Sequence, residues 1–266
     1  MRIVSLLENT TARADMQTEH GLSLYIETQG HKLLFDMGQS DLFARNAEIM
    51  GIDLSAVDMA ILSHGHYDHG GGLRTFLDIN DHAPVFVSEN AFLPYYNASQ
   101  KYIGLDPAYR LHPRLILTKD TAHLAEDLTL YSCNDRECLH RFGSFGLTKQ
   151  TENGRVPDDF RHEQYLLIEE NGKRVLISGC SHKGIADIAA WFAPDVLIGG
   201  FHFSKMPLDE TLADAARMLD AYPTAYYTCH CTGEAQFHFM KRYMKKLSYL
   251  SCGESIYFDK HKEIES

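Results

Sequence analysis

Residues 64–69 read His-Gly-His-Tyr-Asp-His, directly after the apolar run Met59-Ala60-Ile61-Leu62 and directly before Gly70-Gly71-Gly72. Four side chains of metal-ligand type within six residues, delivered by the end of a strand, restrict the chain to folds that hold such a turn rigid at a sheet edge. His64 and His66 are two apart, so an extended turn can aim both imidazoles at one cation. Asp68 and His69 sit a step further on, within reach of a second cation. A divalent pair about 3.5–4 Å apart can clamp a substrate oxygen and activate a nucleophile. The competing reading is a solvated polar loop with surface histidines, and the density of ligand types argues against it.

The pattern around this loop predicts where it sits. Leu22, Leu24 and Ile26 alternate with Ser23, Tyr25 and Glu27, the period of a half-buried strand. Gln29-Gly30 turns the chain into a second strand at 32–35, and Asp36-Met37-Gly38 closes it. Ser40 or Asp41 can cap a helix carrying Leu42, Phe43, Ala47, Ile49 and Met50 and ending at Gly51. Residues 57–62 form the strand that delivers the histidine loop, followed by a short helix with Leu73, Phe76 and Leu77 and a strand at 85–87. Residues 91–160 are less regular and rich in Tyr, Pro and Gly, with strands expected at 115–117 and 128–131. A hairpin then joins 165–168 to 175–177 through Asn171-Gly172. Next come a helix with Ile185, Ile188, Ala189 and Phe192, a strand at 196–198, and a helix with Leu208, Leu212 and Leu219. A strand at 225–228 and a helix with Phe237, Met240 and Tyr243 complete the order. Both halves run strands first and helices after. That order predicts an α/β chain in which two sheets pack face to face with helices outside, a four-layer αββα sandwich. It is read as a single domain over 1–266, with 91–160 as a lid.

Charge and composition exclude other classes. A net charge of −11 lacks the clustered Lys and Arg needed to track a nucleic-acid backbone. No apolar run approaches a membrane span, and Met1-Arg2-Ile3-Val4 starts like a strand, not a signal peptide. Six cysteines in 266 residues are too sparse for a disulfide scaffold. The expectation is a cytoplasmic protein with reduced thiols, acting on a small molecule, with no nucleic-acid or membrane partner and an open oligomeric state.

A two-metal site needs more ligands than the first loop supplies, and three later strand exits offer them. Gly179-Cys180-Ser181-His182 follows one apolar strand, Gly199-Gly200-Phe201-His202 the next, and Thr228-Cys229-His230-Cys231-Thr232-Gly233 the last. Cys180 is either a ligand or an inert buried thiol. His182 and His230 are ligand candidates, and His202 can ligate, donate a proton or bind a substrate anion. Cys229 and Cys231 flank His230 and by strand alternation should point away and pack. His20, His31, His82, His112, His123, His238 and His261 show no grouping and are read as surface or satisfied residues.

Together these residues resemble the metallo-β-lactamase superfamily. Its H-x-H-x-D-H loop matches His64, His66, Asp68 and His69 in order and spacing. Asp36-Met37-Gly38 is similar to its early aspartate motif, Gly179-Cys180 to its Gly-Asp motif, and 228–233 to its closing histidine motif. The resemblance covers nearly the whole chain. It implies an αββα fold with a metal site at one edge of the sheets, holding one or two divalent ions, usually zinc, sometimes iron or manganese. The chain departs from the pattern where Cys180 stands in place of the bridging aspartate. The family's middle histidine must be His162 or His182, and the Gly-Cys-Ser-His arrangement favours His182. That arrangement, the run ending at His202 and the 228–233 run are similar to a subgroup containing dihydropterin-forming synthases of methanopterin biosynthesis and uncharacterised metal-dependent hydrolases.

The resemblance implies a metal-dependent hydrolase acting on a small ester, lactone or phosphoester. Asp68 would orient the nucleophile and carry a proton, and His202 would stabilise the developing oxyanion. A dihydropterin-forming synthase and a non-catalytic metal or ligand sensor are the alternatives. Tyr95, Tyr96, Tyr102 and Tyr109 either stack on a flat ring or pack the 91–160 segment against the sandwich, and packing is the favoured reading. Arg136, Arg141, Lys149 and Arg155 could meet a phosphate, though scattered surface charge is the default.

Overall fold

A computed structural model describes every residue except 29, 141–142 and 259–266. Gln29 of the expected turn, Arg141 and His261 therefore lie outside the described residues. In chain order the strands are β1 (Arg2–Leu7), β2 (Ser23–Glu27), β3 (Lys32–Phe35), β4 (Met59–Ile61), β5 (Val85–Ser88), β6 (Tyr95–Tyr96), β7 (Leu115–Thr118), β8 (Thr121–Ala125) and β9 (Leu128–Tyr131). They continue as β10 (Thr148–Thr151), β11 (Gly154–Pro157), β12 (Tyr165–Glu170), β13 (Lys173–Ile177), β14 (Val196–Gly199), β15 (Ala225–Thr228), β16 (Leu247–Tyr249) and β17 (Ser255–Tyr257). The helices are α1 (Leu42–Ile49), α2 (Tyr67–Gly70), α3 (Leu73–Ile79), α4 (Ile185–Phe192), α5 (Glu210–Asp220) and α6 (Glu234–Met240).

Among the described residues two seven-stranded sheets form, in the orders β17-β1-β2-β3-β4-β5-β7 and β16-β15-β14-β13-β12-β9-β8. Each begins as an antiparallel meander and turns parallel, β3-β4-β5-β7 in the first and β13-β14-β15-β16 in the second, with helices supplying every crossover except β5 to β7, which runs through β6 and a 3-10 turn. The central strands are apolar on both faces because both faces are covered, while the edge strands β7 and β8 are partly exposed. Leu24, Ile26, Leu33, Phe35 and Ile61 meet Leu166, Ile168, Val175, Ile177 and Ile198 between the sheets. On the outer face of the first sheet Tyr25, Leu34, Ala60 and Val85 pack on Phe43 and Ala47 of α1 and Phe76 of α3. On the outer face of the second, Leu167, Leu176, Leu197 and Tyr226 pack on Ile188 of α4, Leu212 and Leu219 of α5 and Met240 of α6. Three apolar layers between four structural layers are the αββα sandwich that the strand-then-helix order predicts.

Several local expectations sharpen. Strand β2 is buried almost throughout because α1 covers the side expected to be wet. Asn171 and Gly172 both hold positive φ, 55° and 74°, the type I′ hairpin their dipeptide favours. Helix α5 starts at Glu210, capped by Asp209 accepting from the Thr211 N–H, so the exposed Leu208 precedes it. Tyr243 likewise falls beyond the end of α6. Strands β6, β10 and β11 form a small separate sheet inside 91–160. Their residues (Thr148-Lys149-Gln150-Thr151, for one) are too polar and too evenly half-exposed to show an apolar period. The chain crosses from one large sheet to the other within the same segment, between β7 and β8.

Residues 36, 64–69, 180–182, 202 and 230 all follow the C-terminal ends of parallel strands. Register aligns those ends: Phe35 opposite Ile61, Ile177 opposite Ile198, Gly199 opposite Thr228. Strand exits far apart in the chain therefore open onto one edge of the sandwich, where crossover topology leaves a crevice.

Candidate metal centre

Asp36 anchors the near side of the crevice. It follows β3 with φ at 61° and is fully buried. Its Oδ1 accepts from the Ser63 N–H at 2.7 Å; its Oδ2 accepts from Ser63 Oγ at 2.7 Å and faces His69 Nδ1 at 2.6 Å. A carboxylate can only accept, so His69 carries its proton on Nδ1 and turns Nε2 inward. Ser63 Oγ, having donated to Asp36, accepts from His64 Nδ1 at 2.7 Å, and His64 presents a bare Nε2. Across the crevice His230 Nδ1 donates to Asn9 Oδ1 at 2.9 Å, which leaves its Nε2 inward as well. Outer partners of this type fix the tautomer of histidines that ligate metal.

The inward atoms crowd. His69 Nε2 lies 3.2 Å from His230 Nε2 and 3.2 Å from Cys180 Sγ, and His64 Nε2 lies 3.4 Å from His182 Nε2. Asp68 Oδ2 stands 3.5 Å from His230 Nε2 and 3.8 Å from His69 Nε2. The buried His66 Nε2, His182 Nδ1 and His202 Nδ1 have no hydrogen-bond partner. His64, His66 and His182 put donor atoms within 4.8 Å of one another, as do His64, His69 and Cys180. Lone pairs aimed at each other and orphaned buried nitrogens are costly without a compensating cation. The donor set, imidazoles with a thiol and a carboxylate, is one that divalent zinc accepts, so the residues fit the metal the loop implies.

Electrostatics agree for three of the imidazoles. Burial, reinforced by neighbouring imidazoles, keeps His64 and His182 well below the usual histidine range and brings His66 down to about 4. Neutral imidazole is the form that ligates. His69 goes the other way: burial opposes its charge, but Asp36 and Asp68 outweigh that and push it up to about 9, so without a cation it also carries a proton on Nε2, which an incoming ion must displace. Burial works against an ionised Asp68, yet His69, His20 and His230 hold it well below the usual carboxylate range. An ionised carboxylate set among several histidines is a ready cation site.

The crevice opens to a cavity of about 190 Å³ lined by His20, Tyr67, Asn97, Leu147, His202 and Lys205 besides the ligand candidates. Residues 17–135 match the metallo-beta-lactamase superfamily. The chain is 28% identical over 267 residues to a 7,8-dihydropterin-6-methyl-4-(beta-D-ribofuranosyl)-aminobenzene-5'-phosphate synthase of Methanocaldococcus jannaschii, covering 91% of this chain and 90% of the relative. It is also 28% identical to the uncharacterised protein MJ0448 of the same organism, over 87% and 91%. Among solved structures, Tm1679, described as a metal-dependent hydrolase of the beta-lactamase superfamily, superposes with a TM-score of 0.83 at 27% identity, covering 97% of this chain and 99% of that one.

The chain is similar to the metallo-β-lactamase superfamily, in sequence over residues 17–135 and in fold over nearly its whole length. The structure brings His64, His66, Asp68, His69, Cys180, His182 and His230 to one crevice, with His202 on its rim. Between the two middle-histidine candidates of the superfamily pattern, geometry favours His182. His162 has both nitrogens engaged, Nδ1 accepting from the Gly65 N–H at 2.9 Å and Nε2 donating to Asp158 at 3.1 Å.

Two expectations are corrected. Cys231 does not point away: a 3-10 turn over His230–Thr232 breaks the strand period and carries its thiol to the cavity beside Cys180. Cys229 packs between the sheets as expected. His20 is not an isolated surface histidine, since its Nε2 lies 3.3 Å from Asp68 Oδ2. Nothing local marked His20; only the fold sets residue 20 against residue 68. The tyrosines pack or cap the 91–160 segment: Tyr95 is buried with its ring 4.0 Å from that of His162, and Tyr96 lies beneath Arg155. Arg136 covers Trp191, and Lys149 pairs with Asp159 at 2.6 Å, so the cation on the cavity is Lys205, which carried no sequence signal. No helix among the described residues is long and apolar enough to cross a membrane.

Proposed function

We propose that this protein is a metal-dependent hydrolase of small ester, lactone or phosphoester substrates. His64, His66 and His182 hold one divalent cation, and Asp68, His69, Cys180 and His230 serve a second. The observation that carries the reading is a convergent, tautomer-fixed donor set that opens onto a solvent-reached cavity. A sensor would close its cation off from water. Zinc or a similar ion in such a cage acts as a Lewis acid and makes water nucleophilic near neutral pH.

The chain's own groups supply the rest. Asp68 Oδ2 faces the cavity edge with His20 Nε2 at 3.3 Å, so a proton taken there has a partly exposed imidazole beside it leading to solvent. His202 lines the cavity opposite and is placed to donate to a developing oxyanion. Lys205 and Asn97 at the mouth suit an anionic or polar substrate tail.

A condensing synthase is the second reading, favoured by the relative of that name matched across nine-tenths of both chains. Oxygen-18 water separates the two. Purified metal-loaded protein is offered ester, lactone and phosphodiester substrates and, separately, a pterin pyrophosphate with 4-(β-D-ribofuranosyl)aminobenzene 5'-phosphate. Label entering product from the first set supports hydrolysis. Unlabelled coupled product from the second overturns it in favour of the synthase.

A further inference from the structure

Beside the histidine cage lies a second group of donors that the hydrolytic reading does not use as a unit. Cys180, His202 and Cys231 bring their ligand atoms within 4.8 Å of one another, and all three line the cavity. We propose that they form a separate sulfur-rich cation site, taking a thiophilic divalent ion such as zinc or cadmium, with Cys180 as the residue shared between the two sites.

The backbone is shaped for this approach. A Cβ on Gly200 would stand 2.3 Å from Cys231 Sγ, so a side chain there would displace the thiol. Gly200 itself is held by its N–H to the Gly179 carbonyl at 2.8 Å, which fixes the two strand exits at the spacing the thiols need. His202 and His230 both hold left-handed φ, 56° and 47°, a conformation uncommon outside glycine that histidine adopts more readily than most residues. Those two turns deliver the imidazole from one side and Cys231 from the other. The buried His202 Nδ1 has no hydrogen-bond partner, and its ring is wedged between His182 at 4.3 Å and Phe145 at 5.1 Å. Cys231 Sγ now spends its weak hydrogen bond on the Cys180 carbonyl at 3.6 Å. An inert packing thiol belongs in an apolar shell, as Cys229 does; these two face the cavity from which an ion enters.

Two thiolates and one imidazole with an open position are a common zinc donor set, and soft sulfur selects zinc or cadmium over magnesium and calcium. Each thiol releases its proton to solvent as the ion binds. The shared Cys180 Sγ lies 3.2 Å from His69 Nε2, so an ion in this site adjoins the histidine cage directly.

Cobalt(II) titration of the metal-stripped full chain, kept reduced with a phosphine, tests the assignment. A thiolate-to-cobalt charge-transfer band in the near ultraviolet is expected, cut by about half in Cys231→Ser and abolished in the Cys180→Ser, Cys231→Ser double variant. His66→Ala, which weakens the histidine cage, should keep the band, so failure of the hydrolytic reading and failure of this site read out separately. An unaltered band in Cys231→Ser overturns the proposal, as does its absence from the parent chain. Alkylation of the unmutated protein covers the case of a misfolded variant: cadmium should protect Cys180 and Cys231 together, with Cys138 as the unprotected control. Protection of Cys180 alone overturns the assignment.

Discussion

The two walls of the crevice are built in different ways. The near wall is one continuous turn, residues 63–69, tied down by a single carboxylate from the neighbouring strand exit: Asp36 holds Ser63 and His69 directly and His64 through Ser63. The far wall is assembled from three strand exits, at 180, 202 and 230, whose side chains share no common anchor. Asn9 holds His230, Phe160 stacks on His182 at 4.6 Å, and Gly200 makes room for Cys231. A ligand set on one turn is specified locally, and one gathered from several strands is specified by register and close packing.

That difference can be broken by experiment. The largest effect belongs to the near wall. His66→Ala, or removal of metal by a chelator, should lower turnover by about a thousand-fold or more, since several kcal/mol of transition-state stabilisation are lost. The His66→Ala protein should keep the circular dichroism of the metal-free parent and bind less metal by elemental analysis. Asp68→Ala should follow, with kcat down about 100- to 10,000-fold, the range for loss of a positioned proton carrier. Full turnover by that variant would remove Asp68 from the mechanism.

Next come the outer partners. Asp36→Asn should weaken metal binding about 10- to 100-fold because it disturbs two histidines together, while Asn9→Ala, touching only His230, should stay at or below the low end of that range. Competition with a fluorescent zinc chelator measures both, and equal losses would erase the contrast between the walls. The smallest effect on chemistry but a clear one on folding is expected for Gly200→Ala. The new methyl would overpack Cys231 and cost about 1–3 kcal/mol in urea unfolding of the metal-free protein. A neutral result there would mean that the far wall tolerates slack.

The same contrast explains what could be read from the chain. The four-layer order and the 64–69 loop were legible because their signals, alternation in β2 or four ligands in six residues, are local. Cys180, His182 and His230 were legible as ligand types at strand exits. Cys231 was misread because alternation fails once a strand passes into a 3-10 turn. His20 was invisible because its place on the cavity comes from Asp68, 48 positions away, whereas Lys205 follows His202 by three residues and was passed over because a single lysine is not a ligand type. Strands β6, β10 and β11 were missed because they are polar and half-exposed and show no apolar period, although Asn153-Gly154, where β10 turns into β11, is the same hairpin dipeptide as Asn171-Gly172.

The candidate ligands come from both halves of the sandwich, with His64, His66 and His69 following β4 of the first sheet and Cys180, His182 and His230 following strands of the second. Elsewhere the N-terminal ammonium of Met1, beside β1, meets Glu170 of β12 at 3.1 Å and pins one half to the other. A bound ion would thus act as a rivet through the two sheets, holding shut the rim that carries the chemistry. Metal starvation should loosen that rim first, and hydrogen exchange at 63–69 and 178–182 should quicken on chelation while β12 and β1 near the Met1 pin stay slow.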